Sequence, residues 1–257
     1  MDFFAMHRQP QPLLLANVWD AVSARAATEA GYTALATSSA AMSAMLGCED
    51  GEGLDPDTLL HWVARLRAVT HLPLTVDIEA GYGGSPEAVA AWLSRLAALG
   101  VVGVNLEDSV VHNGQRTLME TESFAQRLRA IRAALKVAGV RLFLNVRTDP
   151  YVLAVPAACH LAIQRGLRYA QHGADGLFVP GVTDEAEIAA IAEAVPLPLN
   201  VMCMPQLPAF GRLAQLGVKR ISMGNSVLTA LQQPLFELLR GIRQQQSFEG
   251  VFRHAGD

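Results

Sequence analysis

Lysine is nearly absent from this chain: of 20 basic residues only Lys136 and Lys219 are lysine. A mechanism that begins with a lysine Schiff base therefore has two candidates at most. Cysteine is scarce too. Cys48, Cys159 and Cys203 are odd in number, far apart and form no C-x-x-C pair, which argues against a disulfide framework and for a reducing cytoplasm. The seven histidines contain no H-x-x-x-H pair, which excludes a zinc site of that kind. No apolar run reaches the length of a membrane span, and the first residues lack a signal-peptide pattern. Only 17% of residues are charged, the net charge is −4 and the pI is near 6.0, so there is no basic field for nucleic acid. The expected partners are small molecules and further copies of the chain, in the cytoplasm, with neither membrane nor nucleic acid involved.

What is present is core-forming residue: 51% of the 257 residues are hydrophobic, enough for one large domain over 1–257. Short apolar runs alternate with longer amphipathic ones. The runs predict strands near 13–18, 33–39, 72–80, 101–108, 140–149, 175–181, 198–204 and 219–224. Helical spacing predicts helices near 20–30, 56–70, 86–99, 122–138, 156–173, 184–194, 207–216 and 226–246. Asp55 before Pro56 and Ser85 before Pro86 read as N-caps, and Asp184 with Glu187 as a capping-box variant. Gly31, Gly100, Gly139, Gly173 and Gly217 fall where helices should end. Eight strand–helix units predict a (β/α)8 TIM barrel, with an open doubly wound sheet as the alternative.

In a barrel the reactive groups gather at the carboxyl ends of the strands. Those ends carry Ser38 and Ser39, Asp77 and Glu79, Asn105, Glu107 and Asp108, Asn145, Arg147 and Asp149, and Asn200, while the opposite ends begin with leucine, valine or proline. Lys219 opens the last strand, at the wrong mouth for a Schiff base, and Lys136 lies at a charged helix end. Alternation along a strand predicts that Asp77 and Glu79 share a face, as do Asn105 and Glu107. Like charges that close call for a cation, and oxygen ligands suit magnesium better than zinc. Glu49 and Asp50 follow the second strand. Simpler readings stand beside these: Asp108 and Asp149 as turn formers or caps, and Arg147 as an ion-pair partner of Glu107 or as a clamp for a substrate anion. "GYGGSPEAV" lacks the phosphate-loop and dinucleotide patterns, and "MGNSV" at 223–227 reads as a plain helix start.

The order "SSAAMSAMLGCED" (38–50), "DIEAGYGG" (77–84), "NLEDS" (105–109) and "NVRTD" (145–149) resembles the isocitrate lyase/phosphoenolpyruvate mutase superfamily over nearly the whole chain. The resemblance implies a Mg²⁺ site, with Mn²⁺ an alternative, that holds a 2-oxo acid or its enolate. It implies Asp77 as the main ligand, with Glu79, Glu107 and Asp50 reaching the metal largely through water. Ser38, Ser39 and Ala40 match the segment that holds substrate, Arg147 the arginine that holds its distal anionic group, and Asn113 the asparagine of a gating loop. It further implies a homo-oligomer, tetramer or dimer, with an exchanged C-terminal helix. The departures narrow the activity. The lyase signature K-[KR]-C-G-H is missing from "EDSVVHNGQRTLMETESF", the gating lysine is absent, and a histidine after strand six is replaced around Pro180. What remains resembles the oxaloacetate-type decarboxylases and hydrolases. The expected reaction is carbon–carbon cleavage beside a 2-oxo group, with segment 109–121 closing over the site and Asp50, Arg147 and Tyr82 taking part. Tyr82, His112 or a water would protonate the enolate. The alternatives are phosphorus–carbon chemistry, methylisocitrate-type cleavage, and a non-catalytic 2-oxo acid binder.

Overall fold

The computed structural model describes residues 2–252. Its main sheet runs through β1 (Leu13–Leu14), β2 (Ala16–Val18), β3 (Leu35–Thr37), β4 (Leu74–Asp77), β5 (Val101–Glu107), β8 (Phe143–Arg147), β9 (Gly176–Phe178), β10 (Leu199–Met202) and β11 (Val218–Ser222). A separate hairpin, β6 (Ser109–His112) with β7 (Gln115–Leu118), leaves the end of β5. All pairings in the main sheet are parallel, and its ends are β1 and β2. These two are halves of one extended run interrupted at Leu15, whose N–H still donates to Ile221 O at 2.9 Å. One half pairs with β11 and the other with β3, so the run closes the sheet into a ring of eight strand positions. That is the predicted (β/α)8 barrel.

Helices return the chain between strands, and their start and stop signals are the ones the sequence carries. Asp55 and Ser85 cap Pro56–Arg67 and Pro86–Ala98, each with proline in the first turn. The first of these buries Leu59, Leu60, Val63 and Leu66, one stripe at helical spacing. The five glycines predicted at helix ends all have positive φ. Asp184 caps Glu185–Ala194, but Glu187 does not reach back to complete a box: its carboxylate accepts from the Tyr151 hydroxyl at 2.9 Å. The reciprocal box is at Asp20 and Ser23.

Besides the short helix Glu249–Phe252, three elements were not anticipated. Ser39–Leu46 is a helix. The hairpin turns at Asn113 and Gly114 with φ of 50° and 73°, both left-handed, as a two-residue hairpin turn requires. Phe3–Met6 is a short helix whose Phe3 packs with Leu13, Leu15, Ala34, Ala36 and Phe143, stoppering the amino-terminal end of the barrel.

Above that stopper the interior is polar. The Asn145 side-chain N–H groups donate to Asn105 Oδ1 at 2.9 Å and Asn200 Oδ1 at 3.0 Å, and Arg220 Nη2 donates to the same Asn105 oxygen at 3.0 Å. Burial lowers the pKa of Arg220 to about 9. Lys219 donates to Gln9 O, at the stoppered end.

Contacts divide the chain into Met1–Gly224 and Asn225–Asp257. In the second unit, Ser226–Gln245 is an amphipathic helix with Pro234 inside and no buried residue; Leu231, Leu235, Phe236 and Leu239 are each more than half exposed. No helix among the described residues is long and apolar enough to cross a membrane.

His7 belongs to the stopper, stacked on Phe143 at 4.1 Å. Its Nδ1 lies 2.9 Å from Phe3 O, and a carbonyl only accepts, so Nδ1 carries the proton of a neutral ring. Burial, and then the charge of Arg220, push its pKa down from 6.5 to about 3. The unfolded chain binds a proton near 6.5 and the folded one does not, so His7 stabilises the fold fully above 6.5 and progressively less as pH falls toward 3. From pH 7 to 5 this one residue should cost about 2 kcal/mol of stability. Urea melts at both pH values check it: the loss in the wild type should exceed that in His7→Phe by that amount, and equal losses would exclude the assignment.

Candidate active site

The carboxyl rim is built outward from Asp77, the last residue of β4. Its backbone N–H donates to Thr37 Oγ1 at 2.9 Å, which fixes it to the end of β3. Its Oδ2 accepts from the Ser39 N–H at 3.3 Å and the Ser39 hydroxyl at 3.0 Å. Ser39 is the first residue of its helix, where an N–H has no partner within the helix, and Asp77 supplies one. Ser38 caps the same helix by accepting from Ala41 N–H. The hydroxyls of Ser38 and Ser39 are thus both engaged within the protein, at the start of the helix expected to hold substrate. Ala40 occupies the second helical position, where an N–H also lacks an intrahelical acceptor.

Glu79 departs from the period-two expectation. The strand ends at Asp77, and Glu79 is left-handed with φ 50°, so the two carboxylates do not share a strand face. Glu79 stays at the rim because its carbonyl accepts from Glu107 N–H at 2.7 Å. Its Oε2 accepts from Glu52 N–H at 2.5 Å, and the Glu52 carboxylate accepts from Tyr82 N–H at 2.5 Å. Glu52, Glu79 and Tyr82 all have positive φ, a concentration of backbone strain of the kind found at functional sites. Burial, then the charges of Asp77 and Asp50, push Glu79 up to about 8. The Tyr82 ring packs edge-on against Trp92 at 5.4 Å, in an apolar pocket of 170 Å³ shared with Pro56, Ala88 and Val89. Burial and neighbouring carboxylates hold its hydroxyl protonated. Its ring packing sets where that hydroxyl stands. His112 is exposed on the hairpin.

Beside these acids lies a four-charge network. Arg147 Nη1 donates to Glu107 Oε1 at 2.6 Å and its Nε to Asp149 Oδ1 at 2.7 Å, so the ion-pair reading of Arg147 holds. Arg116, not picked out from the sequence, enters from β7: its Nη1 pairs with Glu107 Oε2, donates to Ser109 Oγ at 2.9 Å and lies 3.4 Å from Asp149 Oδ2. Its Nη2 is 3.9 Å from Asp50. Burial raises the Glu107 carboxyl, and the two guanidiniums oppose it. Asp50, Asn113 and Arg116 border a cavity of 460 Å³ between loop 49–53 and the hairpin tip, and the left-handed turn accounts for Asn113 at that tip.

Asp108 is fully buried and is more than a turn former. Its carboxylate accepts from Thr148 Oγ1 (2.6 Å), Arg165 Nη1 (2.7 Å), Tyr169 OH (2.8 Å) and Asp149 N–H (3.2 Å). Arg165 Nη2 also donates to Met119 O at 2.6 Å, so one guanidinium holds both ends of the hairpin stem. Asn17, also missed, joins the seam: it donates to Thr37 O and accepts from Met223 N–H.

Among the described residues no three acids, histidines or cysteines converge as a ready metal cluster. The predicted trio is divided, since Glu79 turns to Glu52 and Glu107 to the arginines. The donor set nonetheless suits a hard cation. Glu79 Oε1 is buried without a hydrogen-bond partner, and burial raises the pKa of Asp77 against the pull of Arg147 and Ser39, with Asp50 adding to the rise. Crowded, under-neutralised carboxylate oxygen is what Mg²⁺ or Mn²⁺ binds.

The chain is similar to known proteins over most of its length. The family model "Phosphoenolpyruvate phosphomutase" matches residues 3–243. An uncharacterised protein of Mycobacterium tuberculosis is 35% identical over 225 residues, 88% of this chain and 82% of that one. An oxaloacetate decarboxylase of Rhodopseudomonas palustris is 29% identical over 238 residues, 89% and 79% of the two chains. The crystal structure of a candidate phosphonomutase from Burkholderia cenocepacia superposes with a TM-score of 0.86 at 41% identity, covering 93% of this chain and 97% of the other.

Removing Arg165 leaves Asp108 buried without its counter-charge. Arg165→Met should destabilise the fold by about 3–5 kcal/mol in urea melts and speed amide exchange across 109–118. A cost below about 1 kcal/mol, the range of an exposed pair, would mean the stem is held by something else.

Proposed function

Because the chain belongs to the phosphoenolpyruvate phosphomutase family, we propose that it is a lyase that breaks a carbon–carbon bond beside the 2-oxo group of a small dicarboxylate of the oxaloacetate type. The observation that carries this reading is the crowding of Asp77, Glu79 and Glu107 at one rim, beside Arg147. The 29% identity to an oxaloacetate decarboxylase supports the substrate class.

Breaking such a bond leaves an electron pair on the carbonyl oxygen as an enolate. When bound, Mg²⁺ or Mn²⁺ would withdraw that charge as a Lewis acid. Asp77 is the ligand we assign to direct contact, oriented by Ser39, with Glu79, Glu107 and Asp50 acting through water. Glu79 must give up the proton that burial and its neighbours hold on it below about pH 8, so apparent metal affinity should rise with pH up to that value. The N–H of Ala40, in the first turn of its helix, would donate to the developing anion. Arg147 orients the distal carboxylate from its fixed seat on Glu107 and Asp149. Once substrate has joined the cation, loop 49–53 and the hairpin would cover the site and limit water. The exposed apolar face of Ser226–Gln245 suits a contact with a second copy, in a dimer or tetramer.

The test is a turnover screen of oxaloacetate, phosphonopyruvate and methylisocitrate with Mg²⁺ and with EDTA. Oxaloacetate should be consumed, EDTA should abolish the signal, and Asp77→Ala should lower kcat/KM by at least about a hundredfold. Preferential release of phosphate from phosphonopyruvate would replace this reading with phosphorus–carbon chemistry. Binding of 2-oxo acids without turnover would make the protein a binder.

A further inference from the structure

Arg116 is placed where it must interfere with any cation that uses Glu107. It stands on β7 opposite Val111, carried by a hairpin that leaves the barrel at Ser109. Its guanidinium reaches Glu107 and Asp149 and lies near Asp50, carboxylates from three separate segments. Arg147 already holds the other oxygen of Glu107 and of Asp149. Each of these two carboxylates is therefore bracketed by two arginines, one on each oxygen. A divalent ion drawing on Glu107 or Asp50, even through a water, would face the Arg116 charge at close range in a partly buried site.

The hairpin is also able to leave. Its stem is fixed, because Arg165 holds the Asp108 carboxylate and Met119 O and Met119 N–H donates to Asp108 O. Beyond the stem, two holds lie on the rim side. One is Arg116. The other is Val111 seated on Gly51, so closely that a Cβ on Gly51 would lie 2.8 Å from a Val111 methyl. His112, Asn113, Gly114, Gln115 and Thr117 are exposed.

We propose that Arg116 is an ionic latch: it holds the hairpin on Glu107, Asp149 and Asp50, and a divalent cation at the rim displaces it and frees the hairpin. Metal binding and hairpin opening are then linked, and removing Arg116 strengthens metal binding although it removes a residue from the rim. This rests on the reading above that the rim holds such a cation.

Mn²⁺ titration of the full chain, followed by the paramagnetic resonance of free Mn²⁺, needs no turnover. Arg116→Gln should bind Mn²⁺ at least about fivefold more tightly than the wild type, the lower end of usual coupling between linked events, and Arg116→Lys should stay near the wild type. Amide exchange across 110–117 should rise with Mn²⁺ in the wild type and be fast from the outset in Arg116→Gln. Should Arg116→Gln not fold, Val111→Ala loosens the seat while leaving every charge in place, and it should tighten Mn²⁺ binding in the same direction. Equal or weaker binding by the variant overturns the latch and leaves the metal reading intact. No Mn²⁺ bound by wild type or variant overturns both.

Discussion

Two guanidiniums and two carboxylates, Arg116, Arg147, Glu107 and Asp149, share the rim of the barrel, and their mutual attraction allows four largely buried charges to remain there. Desolvation would otherwise drive Glu107 to take up a proton. The network also organises its surroundings. Arg147 lies on β8, Glu107 on β5 and Arg116 on the hairpin, so satisfying the charges fixes the relation between three elements. Asp108, one residue beyond Glu107, repeats the device deeper in the fold with Arg165 and Tyr169. Adjacent acids thus look in different directions, one toward the rim and one toward the helix layer.

Much of the scaffold was legible because it depends on local chemistry. Asp55, Ser85 and the helix-ending glycines report on backbone groups a few residues away, and each is found where it was read. The one-sided polarity of strand ends is kept in the fold, where the charged network stands at their carboxyl ends. The reading failed where a local rule was carried past its element. Period two holds in β4 only as far as Asp77, and the left-handed turn at Glu79 breaks it. The hairpin could have been found, because "HNGQ" carries the dipeptide that its turn demands. Arg116 and Arg165 could not. Arg116 reaches Asp149, 33 residues away in sequence, and Arg165 reaches Asp108, 57 residues away, and only the fold brings them together.

The interior below the rim shows a related economy. Most barrels of this size fill their core with branched aliphatic side chains. Here Asn105, Asn145, Asn200 and Arg220 form a bonded polar layer between the rim and an aromatic stopper. Amide groups that must be satisfied in one geometry fix strand register more strictly than interchangeable methyl groups do. The acids above therefore stand on a floor with little freedom to repack.

The left-handed trio of Glu52, Glu79 and Tyr82 has a consequence for anyone diversifying this protein by random mutagenesis. At those positions most side chains are disfavoured by backbone sterics alone, while glycine would ease the backbone and delete the carboxylates that lock the loop. A library that samples them will be populated mainly by dead clones. The solvent-facing tip at Gln115 and Thr117 carries no such double constraint, and that is where new specificities can be sought at low risk to the scaffold.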